Sequence, residues 1–515
     1  MWNRVRRGLT AIFFGQIVII AGNLLLVPLY LAHWSAAVYG EWLALFSLVT
    51  YLSTLDLGMN MAVVNRLTRA YARGDLEEYA RSQHSAIYFY LALAGAGSLL
   101  LAVAAWLVPI PAWLGLRETS AAEAAWVIWL LGLLILWSMP VGLVTAVYRT
   151  TGNLARSQWI GNIQRAATLG LVALVLVFGS GMKLVAAWQL APLIAVTLYV
   201  TWDLRRHFSN LVPHLTRARL SVIRGLIKPS LLFALIILAN AITQQGSVII
   251  ISSALGGLAV ALFVTSRTLA NIIRQVVGSL TVALWPELTG LEARGEQARL
   301  RSVHRLLVVG STTLSIAVAA VLWYEGSEVI TVWTRGKLEP DLTLLRLLLL
   351  QLVIQSPWLA SSVFTAAANR HERLSWSYLV SAVIGVGVAA VLVRRIGTWG
   401  VPVGLIVGEA LACYHFVVKD TCEMIGEPYV PFIRRLWLGL SVVGAGSFVA
   451  GWVAHQIAWG PAPLRWLEVG AVTCIVALVT AWWLWLPTND RARISGGVRS
   501  TSLWVKVEGF LFRTS

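Results

Sequence analysis

Apolar runs long enough to cross a bilayer recur along the whole 515-residue chain and leave little room for anything else. About 20 apolar residues span a hydrocarbon core of about 30 Å as a helix. Backbone N–H and C=O groups in lipid must be satisfied within the segment, so these runs read as helices and not as strands. Their approximate limits are 10–31, 39–63, 85–108, 124–147, 160–179, 184–203, 230–252, 259–284, 304–324, 343–367, 376–393, 400–418, 436–455 and 466–486. A mean hydropathy of +0.76, with only 12% charged residues, excludes a soluble domain. The reading is an all-α integral membrane protein of about fourteen transmembrane helices. The first run is long, contains Pro28 and meets no small-residue cleavage site, so it is expected to remain as the first span. Cys413, Cys422 and Cys474 are odd in number and show neither a disulfide framework nor metal-ligand spacing, and no cofactor or metal is expected.

The basic residues set an orientation, because cytoplasmic loops retain Lys and Arg. With the N-terminus inside, one face collects 30 of the 40, among them Arg66, Arg69, Arg73, Arg81, Arg149, Arg156, Arg294, Arg299, Arg370 and Arg373. The opposite face holds 7, which are Arg117, Lys183, Arg335, Lys337, Arg394, Arg395 and Arg465. An even number of spans with both termini cytoplasmic accounts for the bias. The net charge of +17 then reads as topology plus attraction to anionic inner-leaflet lipids. Nucleic acid is excluded as a partner, since no loop exceeds about 25 residues and none can carry a folded basic domain.

An internal repeat organises the spans. A shift of 221 residues lays Ala72-Arg73-Gly74-Asp75 on Ala293-Arg294-Gly295-Glu296, with Gly22 and Asn23 near Thr243 and Gln244 and Gly40 on Ala261. A second echo, at a slightly different offset, sets Thr151-Gly152-Asn153 against Ala367-Ala368-Asn369. Both place like loops on the same side, which describes a parallel repeat of six plus six spans, the layout of transporters with a path between two halves.

Arg267 and Arg274 stand among residues that belong in hydrocarbon, including Leu262, Phe263, Leu269, Ile272 and Ile273. A charged side chain at the bilayer centre costs at least about 2.5 kcal/mol, so such an arginine faces a bundle interior or an aqueous cavity. Seven helical residues rise about 10 Å over about two turns and put both guanidinium groups on one face. Guanidinium suits bidentate recognition of phosphate, so the pair is a candidate diphosphate site. The alternative is a structural pairing with Glu41, Asp56 or Glu409. Arg346 is a third candidate, with snorkelling to the interface as its alternative. Gln16, Asn23, Gln244 and Gln245 occupy matching regions of the first and seventh spans and are candidates for sugar hydroxyls. Helix–helix hydrogen bonds, at about 0.6 kcal/mol each, are the alternative. Asp56 is a candidate for proton or cation coupling, or a tie between helices. Gly15, Gly22, Pro28, Pro140, Gly142, Gly246, Pro357 and Pro402 are helix breakers inside spans, with Pro28 the hinge candidate. Trp34, Trp42, Trp106, Trp113, Trp333, Trp399, Trp459 and Trp466 lie near span ends and read mostly as an interfacial belt.

The run from Asn23 to Leu31 with Pro28 inside it, then Val38-Tyr39-Gly40-Glu41-Trp42, Leu55-Asp56-Leu57-Gly58 and Ala72-Arg73-Gly74-Asp75, resembles the polysaccharide flippases. These are the O-antigen type within the multidrug, oligosaccharidyl-lipid and polysaccharide (MOP) exporter superfamily. The resemblance covers the whole chain in topology and its first sixth in motif. It implies two six-helix lobes, 1–210 and 211–425, in a MATE-like arrangement around a central cavity. Two additional helices would occupy 426–487, with a cytoplasmic tail at 488–515. It also implies a flippase and not an enzyme, moving undecaprenyl-diphosphate-linked oligosaccharide from the cytoplasmic to the periplasmic leaflet of a bacterial inner membrane by alternating access. The partners would be that lipid-linked sugar, membrane lipids, and a polysaccharide polymerase with its assembly proteins. A monomer suffices, and coupling to a H+ or Na+ gradient stays open. Two alternatives share the architecture. A lipid II flippase also carries undecaprenyl diphosphate, whereas a multidrug or cation antiporter prefers acidic cavity groups over the deep arginines found here.

Overall fold

The computed structural model describes residues 2–213, 218–368, 370–486 and 491. Asn369 of the second repeat motif and the 488–515 tail apart from Arg491 lie outside them. The described residues form helices and connections, with no strand among them. In chain order the main helices are α1 (Trp2–His33), α2 (Ala36–Thr50), α3 (Met59–Ala72), α4 (Leu76–Leu107), α5 (Ala121–Thr150), α6 (Leu154–Val177) and α7 (Met182–His207). There follow α8 (Leu220–Ala241), α9 (Ser247–Leu255), α10 (Gly257–Ala293), α11 (Gln297–Trp333), α12 (Leu342–Ala367) and α13 (Glu372–Ile396). The last are α14 (Gly400–Glu409), α15 (His415–Ile425), α16 (Tyr429–Ile457) and α17 (Ala462–Thr480).

Among the described residues thirteen stretches are long and apolar enough to cross a membrane, one of them the 54 residues Glu372–Ile425. That segment is about 80 Å of helix, and it doubles back. Gly397 has a φ of +68°, and a Cβ built on Gly385 of α13 would lie 3.2 Å from the Gly404 carbonyl of α14. The hairpin supplies two crossings, which recovers the fourteen spans read from the sequence. Helices α10 and α11, at 37 residues each, run well past the apolar limits read for them.

The first repeat motif folds identically in both places. Gly74 N–H bonds the Tyr71 carbonyl at 3.0 Å and Asp75 N–H bonds Ala70 at 3.0 Å; Gly295 and Glu296 do the same to Glu292 at 3.0 Å and Leu291 at 3.1 Å. Gly74 and Gly295 both take a left-handed φ, near +70°, where glycine pays no Cβ penalty. Asp75 then caps α4 by accepting the Glu78 N–H at 2.8 Å. The second echo is one residue out of register. Thr151 and Asn153 bond Val147 and Tyr148, as Ala368 and Arg370 bond Phe364 and Thr365, so Thr151 pairs with Ala368 and not with Ala367.

The chain forms two compact units, and neither is a continuous half. The first comprises Met1–Gln275, Ile330–Leu344 and Ser375–Ala412. In it α1 lies close against α6 through Gly15 and Gly22, where a Cβ would meet the side chains of Asn162 and Leu169. The structure therefore corrects the reading of these two glycines as breakers: α1 runs unbroken past both, and they permit close approach. Pro28 and Pro140 likewise sit inside continuous helices. One break in this unit is at Tyr51–Asp56, a 3₁₀ turn followed by Leu57 and Gly58 in left-handed conformation.

Glu41 is buried in this unit and acts as a latch. Its carboxylate accepts the N–H groups of Arg117 at 2.5 Å, Glu118 at 2.9 Å and Thr119 at 2.8 Å, and the Thr119 hydroxyl at 2.6 Å. One carboxylate thus satisfies four donors in the loop before α5. Beside it, Gly40 of α2 touches Gly257 at the start of α10 backbone to backbone, with no room for a Cβ on either residue.

The second unit comprises Val276–Val329, Leu345–Leu374 and Cys413–Ser515. Here α11 is bonded to the segment before α16 and to α16 itself. Arg305 donates to both Glu427 oxygens at 3.0 and 2.8 Å. Toward the other end, the buried Glu325 carboxylate meets His455 Nδ1 at 2.6 Å and Arg465 at 3.4 Å. Arg465 also pairs with Glu328, which accepts the Trp466 indole N–H at 3.0 Å.

The tryptophans near span ends differ in their surroundings. Trp42 is buried, and Trp34, Trp333, Trp399 and Trp466 each donate an internal hydrogen bond. Trp106, Trp113 and Trp459 stay exposed. Local sequence marks a tryptophan near a span end but not the carbonyl or carboxylate that a distant helix brings to its N–H.

Candidate functional site

The site is built where α8 stops being an α-helix. Ile242–Gly246 form a π turn, in which each bond closes one residue later and the turn widens. A Cβ on Gly246 would come within 2.9 Å of the Tyr51 hydroxyl, so the turn is packed close against the break that precedes Asp56.

Onto this turn α10 brings its two arginines. Arg267 donates from Nη1 to the backbone carbonyl of Gln244 at 2.8 Å. Its guanidinium lies 5.0 Å from the centre of the Phe263 ring, whose side chain is fully buried, a cation–π contact that partly replaces lost water. Gln244, with its amide oxygen turned toward α10, accepts from Arg274 Nη1 at 2.8 Å and also from Nη2. A single glutamine therefore holds both guanidinium groups, one by its backbone and one by its side chain. The two cations are close enough to repel each other.

What is missing is a counter-charge. Neither arginine has a carboxylate partner among the described residues. Two of the three acids considered as partners are engaged elsewhere. Glu41 holds the loop before α5. Asp56 accepts the Tyr90 hydroxyl at 2.5 Å and the backbone N–H groups of Gly58 and Asn60, which ties the start of α3 to α4. Glu409 is buried at the end of α14.

The remaining sequence candidates fall into three groups. Gln16, Asn23 and Gln245 are half-buried and meet no hydrogen-bond partner among the described residues, so their amides remain available. Pro28 lies inside α1. Arg346 is in the second unit, stacked 4.7 Å over the Trp323 ring. Two residues escaped the sequence reading. Arg149, counted only as a loop cation, is half-buried, donates to Asn60 Oδ1 at 3.4 Å and leaves its Nε unpartnered. Phe263 was visible only as one more apolar residue. No group of three His, Cys, Asp or Glu side chains is placed to hold a metal among the described residues.

No family model matches the chain, and no curated protein does. Solved structures do match. A structure described as the lipid II flippase MurJ in an inward closed conformation superposes with a TM-score of 0.70 at 10% identity, covering 92% of this chain and 97% of that one. A multidrug resistance MATE family transporter of the MOP superfamily, inward-facing, gives 0.63 at 14% identity, with 81% and 94% covered. Its outward-facing conformation gives 0.58 at 16% identity, with 81% and 96% covered. At these identities the likeness establishes the fold: a multi-pass helical membrane protein with the architecture of a lipid flippase and of a multidrug transporter.

Proposed function

We propose that this protein is a flippase for saccharides carried on undecaprenyl diphosphate, moving them from the cytoplasmic to the outer leaflet by alternating access between lobes at 1–210 and 211–425. The observation that carries the reading is the pair Arg267 and Arg274, held on one neutral glutamine with no carboxylate among the described residues to balance them. Like charges within a membrane-embedded protein are costly unless an anion completes the site. A diphosphate brings the charge and the paired oxygens that guanidinium recognises. A cationic drug would instead be repelled. The half-buried amides of Gln16, Asn23 and Gln245 supply neutral donors and acceptors of the kind sugar hydroxyls require.

The motifs of the first 85 residues favour an O-antigen type oligosaccharide. The fold shared with MurJ favours lipid II, the substrate its description names. The diphosphate site serves either. In this reading the protein lies in the bacterial inner membrane with both termini cytoplasmic, and Arg346 is a secondary contact.

The test is the leaflet distribution of undecaprenyl-diphosphate-linked sugars in cells depleted of the protein. Accumulation of a completed oligosaccharide unit on the cytoplasmic leaflet, rescued by the intact chain but not by Arg274→Ala, is expected. Accumulation of lipid II would assign the peptidoglycan branch. Unchanged lipid-linked sugars with altered sensitivity to cationic drugs would overturn the flippase reading.

A further inference from the structure

Pro28 has no N–H, so the bond that a helical residue 28 makes to the carbonyl of Leu24 cannot form. An orphaned carbonyl at such a site is a common origin of a sharp kink, yet α1 continues to His33. The Leu24 carbonyl is not left open. The indole N–H of Trp333, the last residue of α11, donates to it at 2.7 Å.

Trp333 is held there by its own surroundings. Helix α11 ends in a reversal in which Arg335 and Gly336 have φ of 54° and 70°, and the Gly336 N–H closes on the Thr331 carbonyl at 2.7 Å. Five residues after the indole, the Leu338 side chain is buried in the same core as Val27 and Tyr30 of α1, with Trp333 packed against it. The end of α11 and the chain after it are thus fastened to α1 twice, at the indole and again at Leu338.

We propose that Trp333 is a positioning residue for α1: its side-chain N–H stands in for the backbone N–H that Pro28 lacks, and its departure lets α1 bend at Pro28. The bond falls on the carbonyl next to Asn23, so it also fixes the turn that presents this candidate sugar contact. That last consequence rests on the proposed flippase function; the mechanical role does not.

The experiment is a double-mutant cycle. Trp333→Phe removes the N–H and retains most of the ring packing. Pro28→Ala restores a backbone N–H to Leu24 and makes the indole redundant. Spin labels on unnatural amino acids at Thr10 and His33 report the length of α1, about 35 Å if straight, in substrate-free protein, so the result is independent of what is transported. One narrow distance peak is expected for the native chain, a second and shorter population of at least about a tenth for Trp333→Phe, and a single peak again for the double variant. Sugar-lipid export should change severalfold in Trp333→Phe, while export by the double variant should equal that of Pro28→Ala alone. A Trp333→Phe distribution identical to native would overturn the proposal. So would a bend that persists in the double variant, which would assign the effect to packing.

Discussion

Replacing Arg274 by glutamine separates a ligand site from a structural ion pair. In the unliganded protein the substitution removes the guanidinium bonds to Gln244 and relieves the repulsion from Arg267. These changes oppose each other, and with net hydrogen-bond contributions of about 1 kcal/mol the unliganded stability should move by less than about 1 kcal/mol. Binding should respond differently. A hydrogen bond to a charged group contributes about 1.5–3 kcal/mol, so loss of one of two guanidinium contacts to a diphosphate weakens binding by about a hundredfold at 1.4 kcal/mol per decade. The assay is thermal unfolding in detergent with undecaprenyl diphosphate at a hundred times the native Kd. Mass action then stabilises the native protein by about 2.7 kcal/mol. For the variant the same concentration equals its Kd, and the stabilisation falls to about 0.4 kcal/mol. Two results would refute the reasoning: an equal ligand effect in both proteins, or destabilisation of the unliganded variant by about 3–5 kcal/mol, the signature of breaking a buried ion pair.

Three further outcomes are expected. Gly40→Ala should lower stability by at least about 1–3 kcal/mol, read as loss of folded protein by fluorescence-detected chromatography, because the added Cβ meets the Gly257 backbone and not a yielding side chain; native-like yield and melting would contradict this packing. Arg465→Ala should cost about 1–3 kcal/mol in thermal unfolding, since it leaves the Glu325 carboxylate beside Glu328 with only His455 as its partner, and the loss should shrink when Glu325→Gln is added. His371, outside the spans, has its pKa lowered by burial. A depressed histidine contributes its stability in full above the unfolded value of about 6.5 and loses it as pH falls from there through its lowered native value, so His371→Asn should flatten the acid side of a stability–pH curve, and an unchanged slope would contradict it.

The parts of this fold that were legible in the sequence are those that depend on local pattern. Spans could be read because hydrocarbon demands a minimum apolar length, and the loop at Gly74 and Gly295 because a left-handed glycine followed by an acidic cap is a short-range signal. Arg267 and Arg274 stood out for the same reason, as charges in an apolar run. Partners were not legible. Glu41 finds its four donors about 76 positions away, and Trp333 finds the Leu24 carbonyl across 309; no periodicity encodes either. The π turn was legible only in part: Gly246 marks a helix breaker in the sequence and the turn ends on it, but only the approach of α10 gives Gln244 its two tasks. Glycines at 15 and 22 were misread since flexibility and close packing call for the same residue.

The contact between Gly40 and Gly257 makes the arginine helix a lever. With no side chain between them, α2 and α10 meet at a point, and neither can slide without backbone meeting backbone. Arg267 and Arg274 lie ten and seventeen residues along α10 from that point, about 15 and 26 Å of helix. A rotation of roughly 5° about it would carry Arg267 through roughly 1.3 Å and Arg274 through roughly 2.3 Å. The more distant arginine would then move farther than the nearer one, so a small turn at a pair of glycines is enough to change the grip on an anion unevenly.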